Sequence, residues 1–317
     1  MSLGQVVCCS SAMQRVYQLI HKASTCDCTV LILGESGTGK ELVARALHES
    51  SSRKHSPYVP VDCASLVPTL MESELFGYER GSFTGAFASR PGLFSIVDDG
   101  TVLLDEIGEL APHLQGKLLR TLQEREFRPV GSVHVVPFRA RVVAATHRDL
   151  STQTTEGTFR ADLFYRLNVL QIKVPALRER RSDIGLLANW FVAKSDEDYR
   201  SHHDISKEAM GRLISYDWPG NVRELENMML RAVALSSGPV LESEDFFADG
   251  ISACPDEPSS REGSMCLDDV YRSSLAEALR RSNGNRVEAA RLLGIGKTTV
   301  YRWLKSWSDT GRRTVSP

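Results

Sequence analysis

A glycine-rich turn set between an apolar strand and a helix constrains this 317-residue chain more than any other feature. The segment Gly34-Glu35-Ser36-Gly37-Thr38-Gly39-Lys40-Glu41 follows the apolar run Thr29 to Leu33, and a helical pattern resumes from Glu41 to Ser50. Glycines at such a turn let backbone N–H groups wrap a string of phosphates. The positive end of the helix favours their charge, and Lys40 can reach the outer ones. The usual form of this loop has Ser or Thr after the lysine as a magnesium ligand. Glu41 stands there instead, so metal binding has to lean on other groups.

A loop of this kind predicts alternating strands and helices around it. Apolar strands read at Tyr58–Val61, Thr101–Leu104 and Arg141–Ala145, with helical patterns between them, and Ala12 to Ala23 has helical periodicity ahead of the first strand. The alternation implies an α/β fold with a mostly parallel sheet covered by helices. The other half of a nucleotide site should be an acid at the end of a second buried strand. Gly100-Thr101-Val102-Leu103-Leu104-Asp105-Glu106 fits, with Asp105 expected to hold Mg2+ through ATP and Glu106 to polarise the attacking water. The pair of motifs implies an ATPase with ATP and Mg2+ as cofactors.

From about Arg181 to Ser236 the strand patterns give way to helical ones, broken by the turn Trp218-Pro219-Gly220-Asn221, which reads as a smaller all-helical domain. Residues Gly250 to Gly263 are rich in Ser, Pro and acid, as linkers are. Three short helical segments follow, Leu267–Ser282, Arg286–Leu293 and Lys297–Trp307. The last two enclose Gly294-Ile295-Gly296 and read as a helix-turn-helix, whose second helix would lie in the major groove. Lys297, Thr298, Thr299, Tyr301, Arg302 and Lys305 are the expected DNA-binding residues. Basic residues outnumber acids throughout this end, whereas the whole chain carries a net charge of -2. The expected boundaries are 1–174 for the α/β ATPase part, 175–244 for a helical lid, 245–266 for the linker and 267–317 for the DNA reader.

No apolar run approaches the roughly 20 residues that span a bilayer, and the first residues do not read as a signal peptide, so a cytoplasmic location without membrane contact is expected. The seven cysteines are scattered, odd in number and never spaced C-x-x-C. That argues against a disulfide framework or a zinc site, and plain buried thiols are expected, with redox sensing by Cys26 and Cys28 left open.

Between the two nucleotide motifs lies Glu74-Leu75-Phe76-Gly77-Tyr78-Glu79-Arg80-Gly81-Ser82-Phe83-Thr84-Gly85-Ala86. This segment, taken with the motifs around it, resembles the central AAA+ domain of sigma-54 activators, the bacterial enhancer-binding proteins. The resemblance covers almost the whole chain and implies that Gly81, Ser82, Phe83, Thr84, Gly85 and Ala86 form the surface loop that touches sigma-54. Flanking glycines suit a mobile tip, and a phenylalanine held out there is costly unless it meets a partner. Two positions depart from the family pattern. Ser82 replaces the usual alanine, and Asp62 replaces an asparagine whose amide pairs with the catalytic glutamate. An Asp62 beside Glu106 would put two carboxylates together and alter the coupling of hydrolysis to the loop.

The resemblance carries further roles to matching positions. Thr146 and His147 correspond to the sensor of the terminal phosphate, Arg160 and Arg166 to arginine fingers that reach a neighbouring subunit's ATP, and Arg223 to the lid sensor. The helix-turn-helix is similar to the Fis-type domains that end most members. Implied partners are sigma-54 RNA polymerase holoenzyme, double-stranded enhancer DNA and further copies of the chain, from dimer to hexameric ring. A mixed ring with a paralogue stays open. Residues 1–33 leave no room for a regulatory domain before the phosphate loop, so control by a trans-acting protein is expected. The alternative is a DNA-binding regulator or mixed-ring partner with weakened ATPase activity.

Overall fold

The computed structural model describes residues 9–65, 68–199, 202–236 and 238–247. Most of the expected linker and the whole expected helix-turn-helix, with Lys297, Thr298, Thr299, Tyr301, Arg302 and Lys305, lie outside the described residues.

In chain order the elements of the first part are α1 (Ser11–Ser24), β1 (Val30–Leu33), α2 (Lys40–Glu49), β2 (Tyr58–Asp62), α3 (Pro68–Phe76), β3 (Gly77–Tyr78) and β4 (Arg90–Pro91). They continue with α4 (Leu93–Val97), β5 (Thr101–Asp105), α5 (Pro112–Glu124), β6 (Glu126–Phe127), β7 (Val136–Pro137), β8 (Arg141–Thr146), α6 (Leu150–Thr155), α7 (Ala161–Leu167) and β9 (Leu170–Lys173). Five of the strands form one parallel sheet in the order β2-β5-β8-β1-β9.

Strand β1, between β8 and β9, is Val-Leu-Ile-Leu, and its first three residues are buried. Side chains alternate across a strand, so Val30 and Ile32 join the core made with α1 and α2, whereas Leu31 joins the opposite core with Met71, Leu75, Leu114 and Leu118. Helices on both faces are what an all-parallel sheet requires. β9 was not anticipated from sequence. Its Leu-Gln-Ile-Lys alternates and buries only Ile172, as an edge strand does, and its register sets Leu170 against Val30 and Ile172 against Ile32.

Two antiparallel ladders stand outside the sheet. β3 pairs with β4 and frames the 79–89 loop, while β6 pairs with β7 and frames the 128–135 loop. A bridge between Tyr78 and Val130 joins the two, with Glu79 N–H donating to the Val130 carbonyl at 3.0 Å and Val130 N–H to the Gly77 carbonyl at 2.8 Å.

The second part begins with a 3-10 run, Leu177–Asp183, and continues through α8 (Ile184–Tyr199), α9 (Lys207–Ser215), α10 (Asn221–Leu235) and α11 (Ser243–Phe247). Its own core gathers Leu177, Ile184, Leu213, Trp218, Leu225 and Met229, with the Trp218 indole N–H donating to the Leu213 carbonyl at 2.9 Å. The expectation of a strand-free region needs a small correction. β10 (Asp204–Ile205) and β11 (Val240–Leu241) pair in parallel, two residues each, too short to show a period in sequence. The buried Asp183 carboxylate accepts the N–H groups of Cys9 and Ser10 and the Ser10 hydroxyl at 2.6–2.7 Å, tying the start of α1 to the base of this part.

The expectation of free thiols at Cys26 and Cys28 is also corrected, because the structure joins them in a disulfide. Cys63 remains a buried thiol, pushed up to about 12 by burial and by the nearby acids Asp62, Asp105 and Glu106. Among the described residues no helix is long and apolar enough to cross a membrane.

Candidate nucleotide site

The Gly34–Lys40 loop joins the carboxyl end of β1 to α2, at the point where β1 is flanked by β8 on one side and β9 on the other. Ligands of open α/β sheets bind at such positions. Gly37 and Gly39 both adopt positive φ, 74° and 98°, which glycine alone accepts without strain. Lys40 is 6% exposed. Its ammonium donates to the carbonyls of Gly34 at 3.1 Å and Glu35 at 3.3 Å, and it meets Glu106 Oε1 at 3.3 Å. Bent over the loop in this way, it points where phosphates would lie.

A cavity of about 360 Å3 opens beside the loop, within the range of small-molecule sites. Ser36 to Val43, Asp105 and Glu106 form its polar end, while Met13, Leu187, Trp190 and Phe191 form an apolar wall suited to a flat base. Arg180 and Arg223 line it from the helical part. Glu41, at the position where a hydroxyl was expected, also lines the cavity and makes a loose pair with Arg45 at 3.7 Å.

Asp105 and Glu106 end β5. Burial raises the Asp105 carboxyl, offset in part by the Glu106 N–H that it accepts at 3.0 Å, and the neighbouring charges of Glu106 and Asp62 raise it further. Glu106 sits in the left-handed region at φ 50°, ψ 47°. Burial would raise its carboxyl too, but the His147 hydrogen bond and the Lys40 charge bring it below the ordinary value. Oε2 of Glu106 lies 2.7 Å from His147 Nδ1 and accepts the His147 backbone N–H at 3.2 Å.

Asp62 and Asp105 are partners in register at the ends of β2 and β5. The expected pairing of Asp62 with Glu106 is not what the structure brings together. The exposed Asp62 carboxylate turns onto its own chain and accepts the Ala64 N–H at 2.8 Å, while Glu106 is taken by Lys40 and His147. Thr146 is buried, its hydroxyl accepts the Arg148 N–H at 3.0 Å, and its carbonyl accepts from Gly34 N–H at 3.4 Å. It touches the phosphate loop through backbone and not through its hydroxyl.

The helical part closes on the loop through Arg223, which the sequence named, and through Arg178, Arg180 and Asn221, which it did not. Arg178 forks onto both oxygens of Glu35, and Asn221 donates to Glu35 Oε2 at 3.1 Å and to the Ser36 carbonyl at 3.0 Å. Asn221 Oδ1 also accepts the Leu177 N–H at 2.8 Å. The Arg178 fork, helped by Asn221, holds the Glu35 carboxyl down at about 2. The Arg180 guanidinium, buried, donates to the Thr38 carbonyl at 2.9 Å. At the start of α10 the N–H groups of Val222 and Arg223 both reach the Gly37 carbonyl, and the Arg223 side chain reaches Ser36 Oγ at 3.4 Å. A single asparagine at a helix start, or one arginine in a basic run, reads in sequence as a cap or a solvated face.

Arg160 and Arg166 lie at the two ends of α7, both exposed, and neither lines this cavity. Arg160 forks onto Asp162 at 3.0 and 2.7 Å, and Arg166 donates to the Leu122 carbonyl at 2.8 Å.

The 81–86 loop closes on itself: Gly81 N–H donates to the Ala86 carbonyl at 2.9 Å and Ala86 N–H to the Phe83 carbonyl at 3.0 Å. Gly81 and Gly85 have φ of 83° and 107° and no other atoms near where a Cβ would stand. Phe83 is 43% exposed with its ring 5.0 Å from that of Tyr78, and Phe87 beside it is 88% exposed. Ala86 is buried and anchors the loop's end.

Residues 6–173 match the sigma-54 interaction domain, residues 178–262 the AAA+ ATPase lid domain, and residues 267–307 the Fis family of bacterial regulatory proteins. The chain belongs to the sigma-54 activator family. Similar members include the regulatory protein AtoC of Escherichia coli, 44% identical over 96% of this chain and 68% of its own length. The transcriptional regulatory protein ZraR of Salmonella typhimurium is 48% identical over 92% of this chain and 66% of its own. This sigma-54 activator thus spans about two thirds of these relatives. Its fold is similar to that of NtrX from Brucella abortus in complex with ATP, with a TM-score of 0.73, 33% identity, and coverage of 96% of this chain and 69% of that one. The enzyme is an AAA+ ATPase with a parallel-sheet core, a helical lid and a Fis-type DNA-binding segment, as the sequence led us to expect.

Proposed function

We propose that this sigma-54 activator hydrolyses ATP at the boundaries between subunits of a ring, up to a hexamer, and uses the energy to press its 81–86 loop against sigma-54 RNA polymerase. Closed promoter complexes are thereby converted to open ones while the C-terminal segment holds enhancer DNA in the cytoplasm. Phe83 carries this reading. Together with Phe87 beside it, Phe83 puts two exposed aromatic rings on a glycine-bounded loop, an apolar surface that burial against a partner would remove from water.

The chain's own groups divide the work as follows. The Gly34–Lys40 backbone and Lys40 receive the phosphates, and the wall of Met13, Leu187, Trp190 and Phe191 takes the base. Mg2+, when bound with ATP, neutralises charge as the terminal bond breaks. Asp105, a half-buried carboxylate among other acids whose repulsion a cation would relieve, is the residue that would hold it. Glu106 orients the attacking water. Arg160 and Arg166, exposed and away from their own chain's cavity, exchange their bonds to Asp162 and to the Leu122 carbonyl for the neighbouring subunit's phosphates, where a guanidinium fork stabilises charge as it shifts. Arg223, from the lid, reaches the ATP of its own subunit. Partnership with a paralogue in the ring, and restraint by a trans-acting protein, are compatible with this arrangement.

The decisive experiment is ATP-dependent open-complex formation with sigma-54 holoenzyme, comparing the wild type with Phe83→Ala. Loss of open complexes with ATP hydrolysis retained is the expected result, and equal output from both proteins removes the proposed contact.

A further inference from the structure

Glu106 is the group asked to orient water, yet both of its oxygens are already engaged. Oε1 faces the Lys40 ammonium at 3.3 Å, while Oε2 takes two donors from one residue, the backbone N–H and Nδ1 of His147. The residue at the end of β2, Asp62, is an acceptor only and has no proton to give Glu106; its Oδ1 accepts the Ala64 N–H. The left-handed backbone at Glu106, unusual for a residue with a side chain, fixes where its carboxylate can go.

We infer that His147 is the positioning residue for Glu106 in this chain, holding the water-orienting carboxylate in place of the residue at the end of β2. The chemistry of the ring follows. To bond an ionised carboxylate, Nδ1 must carry the proton, and a neutral imidazole then presents a bare acceptor at Nε2. Such a ring has nothing to donate to a phosphate oxygen while it holds Glu106. The contact that the geometry records for this ring is the one to Glu106. When phosphates draw Lys40 away, Oε1 is released to the solvent side and Oε2 stays tethered. The carboxylate is left half free, with one oxygen available to a water and its rotamer set by His147.

This inference rests on the role given to Glu106 above, and the experiment separates the two. Glu106→Gln should abolish hydrolysis; if it does not, the assignment of Glu106 fails and the inference with it. Given that loss, His147→Ala should lower kcat on the order of tenfold to a hundredfold, the cost of a misplaced reacting group, with KM for ATP within about twofold. His147→Asn, whose amide nitrogen stands where Nδ1 does, should recover most of kcat. A second readout uses the nucleotide-free protein: nitrogen NMR of a histidine-labelled sample should find His147 protonated at Nδ1, and Glu106→Ala should abolish that preference. A raised KM with unchanged kcat in His147→Ala, failure of asparagine to rescue, or an Nε2–H ring in the wild type would each overturn the inference.

Discussion

Glu35 on the phosphate loop and Arg178 at the root of the lid form a two-pronged ion pair across 143 positions of sequence, and Asn221 completes it from the start of α10. The loop that receives phosphates is thereby bonded by side chains to the element that covers them. Because the Glu35 carboxyl is held near 2 against an ordinary 4.5, its contribution to stability is fully present above about 4.5 and is lost as pH falls toward about 2. The pair is largely solvent-exposed, so screening limits it to about 1 kcal/mol. Glu35→Gln should lower the melting temperature by about 2–4 °C at neutral pH, and the difference from wild type should shrink on acidification through that window. A constant difference across the window would contradict the linkage.

Gly37 should be intolerant of any side chain. Its φ is +74°, and an added Cβ would collide with the Gly220 carbonyl oxygen just before α10. Gly37→Ala should destabilise by about 2 kcal/mol or more from backbone strain and crowding together, and it should push α10 off the loop. Titration with a fluorescent ATP analogue is expected to reveal at least about a tenfold loss of affinity, equivalent to 1.4 kcal/mol.

Asp62→Asn removes one of the charges that raise Asp105 while leaving an oxygen to accept the Ala64 N–H. The folded Asp105 should then ionise at lower pH, so the acid limb of the hydrolysis profile should move down. Rates measured at saturating Mg2+ across the acid range test this. An unshifted limb would show that Asp62 does not act through Asp105.

Ser82, the departure within the contact loop, has its hydroxyl buried without a hydrogen-bond partner among the described residues, and its Cβ lies 2.6 Å from where a Cβ on Gly131 would stand. A buried unmatched hydroxyl costs about 1–3 kcal/mol. Ser82→Ala should therefore raise the melting temperature slightly and leave the loop's shape intact. Gly131→Ala should do the opposite, since Gly131 also has φ +78°. Melting curves of the two variants, run side by side, decide the matter.

The parts of the fold written in local pattern were legible in advance. β1, β2, β5 and β8 announce themselves as short apolar runs, and the phosphate loop is a contiguous string of residues with one physical purpose. β9 was hidden because Gln171 and Lys173 interrupt it, so Leu-Gln-Ile-Lys shows no apolar run. The site was legible where chemistry depends on residue type, as at Lys40 and Asp105. It was not where chemistry depends on which rotamer meets which neighbour. Nothing in the spacing of residues 62, 106 and 147 says that a histidine, and not the aspartate, takes the glutamate. Likewise, that Arg178 meets Glu35 is a property of how the lid packs, which no window of sequence contains. The residues of the expected DNA reader fall outside the described structure, and the match over 267–307 bears on that segment as a whole.

The bridge from Tyr78 to Val130 ties together two hairpins that arise from distant stretches of chain. They are therefore one mechanical object: under the proposed mechanism, a stroke delivered through the first hairpin would be braced by the second. A graft of the first hairpin from one activator to another would then have to carry its mate with it.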